Sequence, residues 1–182
     1  MKSKILILTL AIVSLLSHVS CSSDDDKSVN ISNSYEYDGA KTQINWAGYY
    51  ESTGSGYSFG LAPAAPTGNL SNATNFFSFD IPVERLNQTL DLSQNLDGAD
   101  WYFYGTFRHQ NYTYYINDLT NSSESTDDVT GTDNWIKVTK NISGPHNFTV
   151  QFSMTVNGKT FKGSYKGDFR KYEEYSDVGI GS

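Results

Sequence analysis

The chain has 182 residues, 37% hydrophobic, 14% aromatic and 18% charged, with a single Cys and a formal net charge of −7. That length suits one domain, and one Cys excludes an internal disulfide framework or a zinc site built on several thiolates. The acidic balance excludes nucleic acid as a partner, because binding to phosphates rests on clustered Lys and Arg.

Lys2 and Lys4 precede an uncharged apolar run, Ile5–Leu16. A positive start, a short apolar stretch and small residues after it predict a secretory signal peptide over residues 1–20. The run is too short to span a bilayer, for which about 20 apolar residues are needed. Cys21 follows directly behind His18-Val19-Ser20. Val19 and Ser20 resemble the cleavage site of a bacterial lipoprotein, although His18 stands where that pattern has an aliphatic residue. The resemblance implies that Cys21 becomes the first residue and carries acyl chains. Several chains on one residue give stable anchoring where a single chain does not. Next comes Ser22-Ser23-Asp24-Asp25-Asp26-Lys27. A Ser and acidic run directly after the Cys resembles the lipoprotein export signal of Bacteroidota, which implies an outer-membrane protein facing the outside. The same composition also suits a solvated spacer. Residues 21–33 are thus expected to form an acylated Cys and acidic tether, and residues 34–182 a β domain.

Without residues 1–20, which hold Lys2 and Lys4 and no acid, 11 basic and 20 acidic residues remain, a formal −9. All 26 aromatics lie in this mature part, against 21 Ile, Leu and Val. Aromatic side chains fit a pleated, half-buried surface, and abundant Asn, Ser, Thr and Gly break helices and make turns. The expected fold is all-β, an antiparallel β-sandwich or β-barrel of about eight to ten strands in one domain.

In chain order, Tyr35–Ile44 reads as a hairpin whose Asp38-Gly39 supplies a type I′ turn and sets Glu36 opposite Lys41. Gly48–Glu51, Gly56–Leu61 and Phe76–Pro82 read as strands, with Pro82 ending the last or placing it on an edge. Val83–Asp97 is the one helical candidate, and its Leu90, Leu92 and Asp/Asn punctuation fit a loop with short strands as well. Trp101–Arg108 and Tyr112–Ile116 are strands, and the polar stretch 117–134 is a long surface loop. Trp135–Lys140 is a further strand. Then Phe148, Val150, Phe152, Met154 and Val156 alternate with polar residues up to an Asn157-Gly158 turn. In that register Met154 faces Phe161, Val150 faces Tyr165, and Phe152 and Phe148 cover Gly163 and Gly167, a ring-over-glycine pairing.

No nucleophile elbow, phosphate loop or His-Glu-x-x-His occurs, so no catalytic residue and no cofactor are expected, and the protein reads as a non-enzyme. His109 and His146 are the two histidines of the mature part, and a pair of imidazoles can ligate a metal or haem iron. Glu51, Glu84, Asp97, Asp100 and Glu173-Glu174 offer carboxylates for a hydrolase of glycosides, which needs two acids about 5–9.5 Å apart. Asp127, Asp128 and Asp133 offer oxygens to Ca²⁺ without the usual spacing of such loops. Solvated surface side chains account for all of these. The aromatics are the stronger signal. Trp46, Tyr49, Tyr50, Trp101, Tyr102, Tyr104, Tyr112 and Tyr114 exceed what one sheet face needs, and alternate strand residues face opposite ways. If Trp101 and Phe103 are core, Tyr102 and Tyr104 point outward, or the reverse. Outward rings beside Asn and Asp suit a glycan or a protein partner. The expected function is a non-catalytic surface lipoprotein binding such a partner. A structural subunit of an envelope assembly is the first alternative and a hydrolase the second.

Overall fold

Two tight turns set the register of the first sheet. Asp38 and Gly39, at φ of 50° and 77°, join β1 (Ser34–Tyr37) to β2 (Ala40–Gln43) with Glu36 opposite Lys41. Asn157 and Gly158, at φ of 47° and 72°, join β10 (Asn147–Val156) to β11 (Lys159–Asp168). These positive φ values are what a two-residue hairpin turn requires. Met154 then pairs with Phe161, Phe152 with Gly163, Val150 with Tyr165 and Phe148 with Gly167, the register that the alternation predicts. A Cβ on Gly163 would run into the Phe152 ring, while the ring standing over Gly167 is that of Tyr165, not Phe148.

A computed structural model describes residues 27–52, 56–66, 75–92, 101–116 and 129–171. Its other strands are β3 (Trp46–Ser52), β4 (Gly56–Ala62), β5 (Phe76–Pro82), β6 (Thr89–Asp91), β7 (Tyr102–His109), β8 (Tyr112–Ile116), β9 (Val129–Lys140) and β12 (Arg170–Lys171). One six-stranded sheet runs β2-β1-β11-β10-β9-β6 and the other β12-β3-β4-β5-β7-β8. All pairings are antiparallel except β12 with β3. The fold is a β-sandwich with a single main core, and twelve strands among the described residues exceed the eight to ten expected.

The excess has local causes. Val83–Asp97 resolves, as far as Leu92, into a short 3₁₀ turn, Val83–Arg85, and the three-residue β6. The stretch 117–134 is not wholly loop, because β9 begins at Val129. Its polar start is held by Asn134, whose side-chain oxygen accepts the Thr155 N–H at 2.8 Å where the β9–β10 register shifts. Asn134 thereby replaces a ladder acceptor that the bulge removes.

Between the sheets the core is aromatic. Phe77, Phe103, Phe107, Phe152 and Phe161 are fully buried, with the Phe107 and Phe161 rings stacked 4.4 Å apart and 2° from parallel. Gly105 on β7 lies opposite Phe77, and a Cβ there would reach the Phe77 ring at 2.6 Å and the Phe76 carbonyl at 2.9 Å. It is a second ring-over-glycine pair.

Residues 27–33, the last part of the segment read as tether, lie along the outer face of the first sheet. The Gln151 side chain donates to the Val29 carbonyl at 2.6 Å, Ser164 Oγ donates to the Asn30 carbonyl at 3.0 Å, and the Ser32 N–H donates back to Ser164 Oγ at 2.9 Å. Asn33 brackets Lys166 by accepting from its N–H and donating to its carbonyl.

Candidate functional site

Each aromatic run divides between core and outer surface by strand alternation. On β3, Ala47 and Tyr49 are core, so Trp46, Gly48 and Tyr50 face outward from the second sheet. On β4, Tyr57, Phe59 and Leu61 are core, leaving Ser58, Gly60 and Ala62 outward. On β5 the outward set is Phe76, Ser78 and Asp80. On β7, Trp101 just before the strand and Phe103 within it are core, and Tyr104 and Thr106 face out.

Strand registers turn these sets into rows. Gly48, Gly60, Ser78 and Tyr104 lie side by side across four strands, and Trp46, Ala62, Phe76, Thr106 and Tyr115 form the next row but with Ala62 and Phe76 paired by extension of the ladder. The result is a face on which β4 and β5 present Ser58, Gly60, Ala62 and Ser78 together with Phe76 and Asp80, flanked by Trp46 and Tyr50 on one side and Tyr104 on the other. Three strand steps separate the flanks, roughly 14 Å between backbones. On this face the Trp46 and Phe76 rings sit 6.3 Å apart, and a Cβ on Gly60 would meet them at 3.0 Å and 3.1 Å. Trp46, Phe76 and Ala62 form an apolar cluster separate from the core. Gly60 is therefore small because two rings lie across it.

The eight expected binding aromatics do not form one surface. Trp46, Tyr50 and Tyr104 are half-buried on the outer face of the second sheet. Tyr49, Trp101 and Tyr114, named among the candidate binding aromatics, belong instead to the core, a correction that fixes which alternate set of each run faces inward. Tyr112, 55% exposed, stands at the end of β8 with its ring edge-on to Tyr114. Tyr102 occupies β7 opposite Asp80, and its side chain lies outside the described residues. Cys21, Ser22, Ser23, Asp24, Asp25 and Asp26 also lie outside them. Tyr115, 55% exposed, was missed, and so was Phe76, an outward ring that is only 4% exposed. Both sit in doublets, Phe76-Phe77 and Tyr114-Tyr115, and adjacent rings on a strand must face opposite ways.

The two histidines are at opposite ends of the sandwich. His146, just before β10, shares a hydrogen bond between its Nδ1 and the Tyr49 hydroxyl at 2.5 Å, with the two rings stacked 5.0 Å apart. Burial, then the Glu51 carboxylate and Tyr57, push the Tyr49 hydroxyl up from its ordinary value. His109 lies beyond the other end of β10, edge-on to Tyr37 and 3.6 Å from Asp38. Ten strand residues, roughly 33 Å of chain, lie between, so one metal or haem iron cannot take both. Among the described residues no cluster of His, Cys, Asp and Glu could hold a metal ion. Asp133 is paired with Lys27 at 2.7 Å, while Asp127, Asp128, Asp97, Asp100, Glu173 and Glu174 lie outside the described residues. Glu51 and Glu84 are exposed.

Asp38 ties the two hairpin turns together through Lys159 at 2.6 Å. The hydrogen bond from Lys159, opposed by partial desolvation and aided by the Lys159 and His109 charges, holds its carboxyl below the ordinary value of 3.8. A lowered carboxyl stabilises the fold above its unfolded-state pKa and loses that effect as pH falls through the folded value. Asp38→Asn keeps a residue tolerant of positive φ. The stability gap between the two proteins is expected to be small at pH 7 and to close as the solution is acidified below the ordinary aspartate range. Urea titrations across that range read it, and a gap that widens on acidification would contradict the pairing.

On the outer face of the first sheet, a polar groove of about 510 Å³ runs between Ser28–Ser32 and the row Lys41, Glu36, Lys162. No protein-family model, no curated protein and no solved structure matches this chain.

Proposed function

We propose that the protein is a non-catalytic lipoprotein of the cell surface that binds a glycan on the outer face of its second sheet. The observation that carries the reading is the set of outward rings on the second sheet, with Trp46 and Phe76 lying across Gly60 and with Tyr50 and Tyr104 on the flanks. Sugar rings present flat apolar C–H faces and a rim of hydroxyls. Aromatic rings take the former, and the hydroxyl of Ser78 and the carboxylate of Asp80, both half-buried, take the latter. Amphipathic rings give large contact area at low cost in conformational entropy.

A glycan array probed with the soluble Cys21→Ala protein tests the reading, and silence across linear and branched glycans overturns it. The anchoring half is tested separately. Cys21→Ala is expected to release the protein from the membrane fraction or leave the precursor unprocessed, since no other acyl acceptor of this kind is present in a chain with one Cys. Unchanged membrane attachment refutes acylation. Replacing Asp24, Asp25 and Asp26 by Ala is expected to preserve attachment and remove surface exposure, read by protease shaving of intact cells.

A further inference from the structure

We infer that the glycan taken by the second sheet carries carboxylates, and that Arg170 on β12 is the residue that selects them. The inference rests on the reading of that sheet as a glycan-binding face and adds the chemical class of the ligand.

β12 joins the second sheet beside β3, in parallel, with Arg170 opposite Gly48. Paired residues on neighbouring strands point to the same side of a sheet. Gly48 faces outward, because Ala47 and Tyr49 on either side of it are core. Arg170 therefore faces outward too, in keeping with its exposure and with the burial of Phe169 before it. The ladders carry its row onward through Gly48, Gly60, Ser78 and Tyr104. That row has a guanidinium at one end, a phenol at the other and nothing larger than serine between them. It spans four strand steps, roughly 19 Å. From the next row the Trp46 and Phe76 rings reach over Gly60. Only Gly48 stands between Arg170 and those rings. An arginine side chain is long enough to cross one glycine, which brings its guanidinium beside a sugar stacked on Trp46.

Charge on this face is sparse. Among the described strands its outward charged residues are Arg170, Arg108 near the far end of β7, and Asp80 on β5, three strands away from β12. Among the described residues Arg170 has no ion-pair partner. Asp168, two residues before it, belongs to the first sheet and accepts from the Asn147 side chain at 2.8 Å. A guanidinium offers a planar fork that meets a carboxylate through two parallel hydrogen bonds. A sugar hydroxyl takes one N–H of that fork and leaves the charge unmatched. The net charge of −7 repels an acidic ligand at long range, and at physiological salt that repulsion fades over about 8 Å. Selection therefore comes from contact, and Arg170 is the cation placed beside the rings.

The test is a glycan array carrying oligosaccharides of hexuronic acid and of sialic acid beside the same oligosaccharides with their carboxyls reduced to primary alcohols, probed with the soluble Cys21→Ala protein. Titration calorimetry then measures the pair that binds best, and the array itself tells which acid supplies the carboxylate. The carboxylated form is expected to bind roughly tenfold or more tightly than its reduced counterpart, the effect of charge-assisted hydrogen bonds. Arg170→Gln is expected to bring the two forms within about threefold of each other by weakening the carboxylated one alone. Arg170→Lys keeps the charge without the fork and is expected to retain part of the preference. Lys166→Gln removes a positive charge from the first sheet and is expected to leave the preference intact. A preference lost equally in Lys166→Gln would assign it to net charge and overturn the inference. Equal binding of the two forms, or a preference that survives Arg170→Gln, overturns it as well. Binding confined to neutral glycans fells the inference and leaves the glycan reading standing, whereas silence of both classes fells the two together.

Discussion

Phe161→Ala is expected to lower the free energy of unfolding by about 3–5 kcal/mol, the range for truncating a fully buried Phe. The upper half of that range applies here for a geometric reason. Phe161 is the centre of the aromatic core, stacked on Phe107 and within 5.2–5.7 Å of Phe152, Phe77 and Tyr35. Those neighbours come from both sheets, and each is held in turn by another ring, so none can move into the vacated space without breaking its own contacts. A cavity that fails to collapse adds its own penalty to the lost transfer energy. For a domain of this size each kcal/mol moves the thermal midpoint by roughly 2–4 °C, so a fall of about 10 °C or more is expected in calorimetry. Tyr115→Ala, at an exposed outward position of the edge strand β8, is expected to change stability by less than about 0.5 kcal/mol. Similar losses for the two substitutions would show that the ring cluster is not the core.

What was legible in the sequence was what is local. The Asn157-Gly158 turn and the alternation on both sides of it determine every pair from Val156–Lys159 to Phe148–Gly167, because one residue of slip would turn the apolar set to solvent. Asp38-Gly39 acts the same way on β1 and β2. The pairing of Phe77 with Gly105 was not legible. It needs β5 beside β7, and the chain between them crosses to the other sheet as β6. The start of β9 was hidden because Thr130-Gly131-Thr132-Asp133-Asn134 has no alternation, and Asn134 supplies the ladder acceptor from its side chain. For the site, each aromatic run signalled that some rings face outward. Which parity faces outward depends on the opposing sheet, and consequently Tyr114, expected to bind, is core while Tyr115 faces outward.

Trp46→Ala and Tyr104→Ala, each introduced into the soluble Cys21→Ala protein, are expected to weaken binding of an array-selected glycan about thirtyfold, the effect of losing a contact worth about 2 kcal/mol. They stand on opposite flanks of the face, so a ligand seated across it loses one wall with either. The two differ in their structural cost. Tyr104 is half-buried and its loss is expected to change stability by less than about 1 kcal/mol, whereas Trp46→Ala uncovers Gly60 and Phe76 and costs more. Gly60→Ala separates ring position from ring presence. Its Cβ would meet Trp46 at 3.0 Å and Phe76 at 3.1 Å, so both rings must lift by a few tenths of an ångström while remaining on the face. A ligand that stacks on those rings is expected to bind Gly60→Ala more weakly than the parent and more tightly than Trp46→Ala. Tyr112→Ala, an exposed ring away from this face, is expected to bind like the parent. Titration calorimetry with the same glycan reads all four. Undiminished affinity in Trp46→Ala and Tyr104→Ala would remove the second sheet as the binding face, and a loss confined to Tyr112→Ala would move the site to the end of β8.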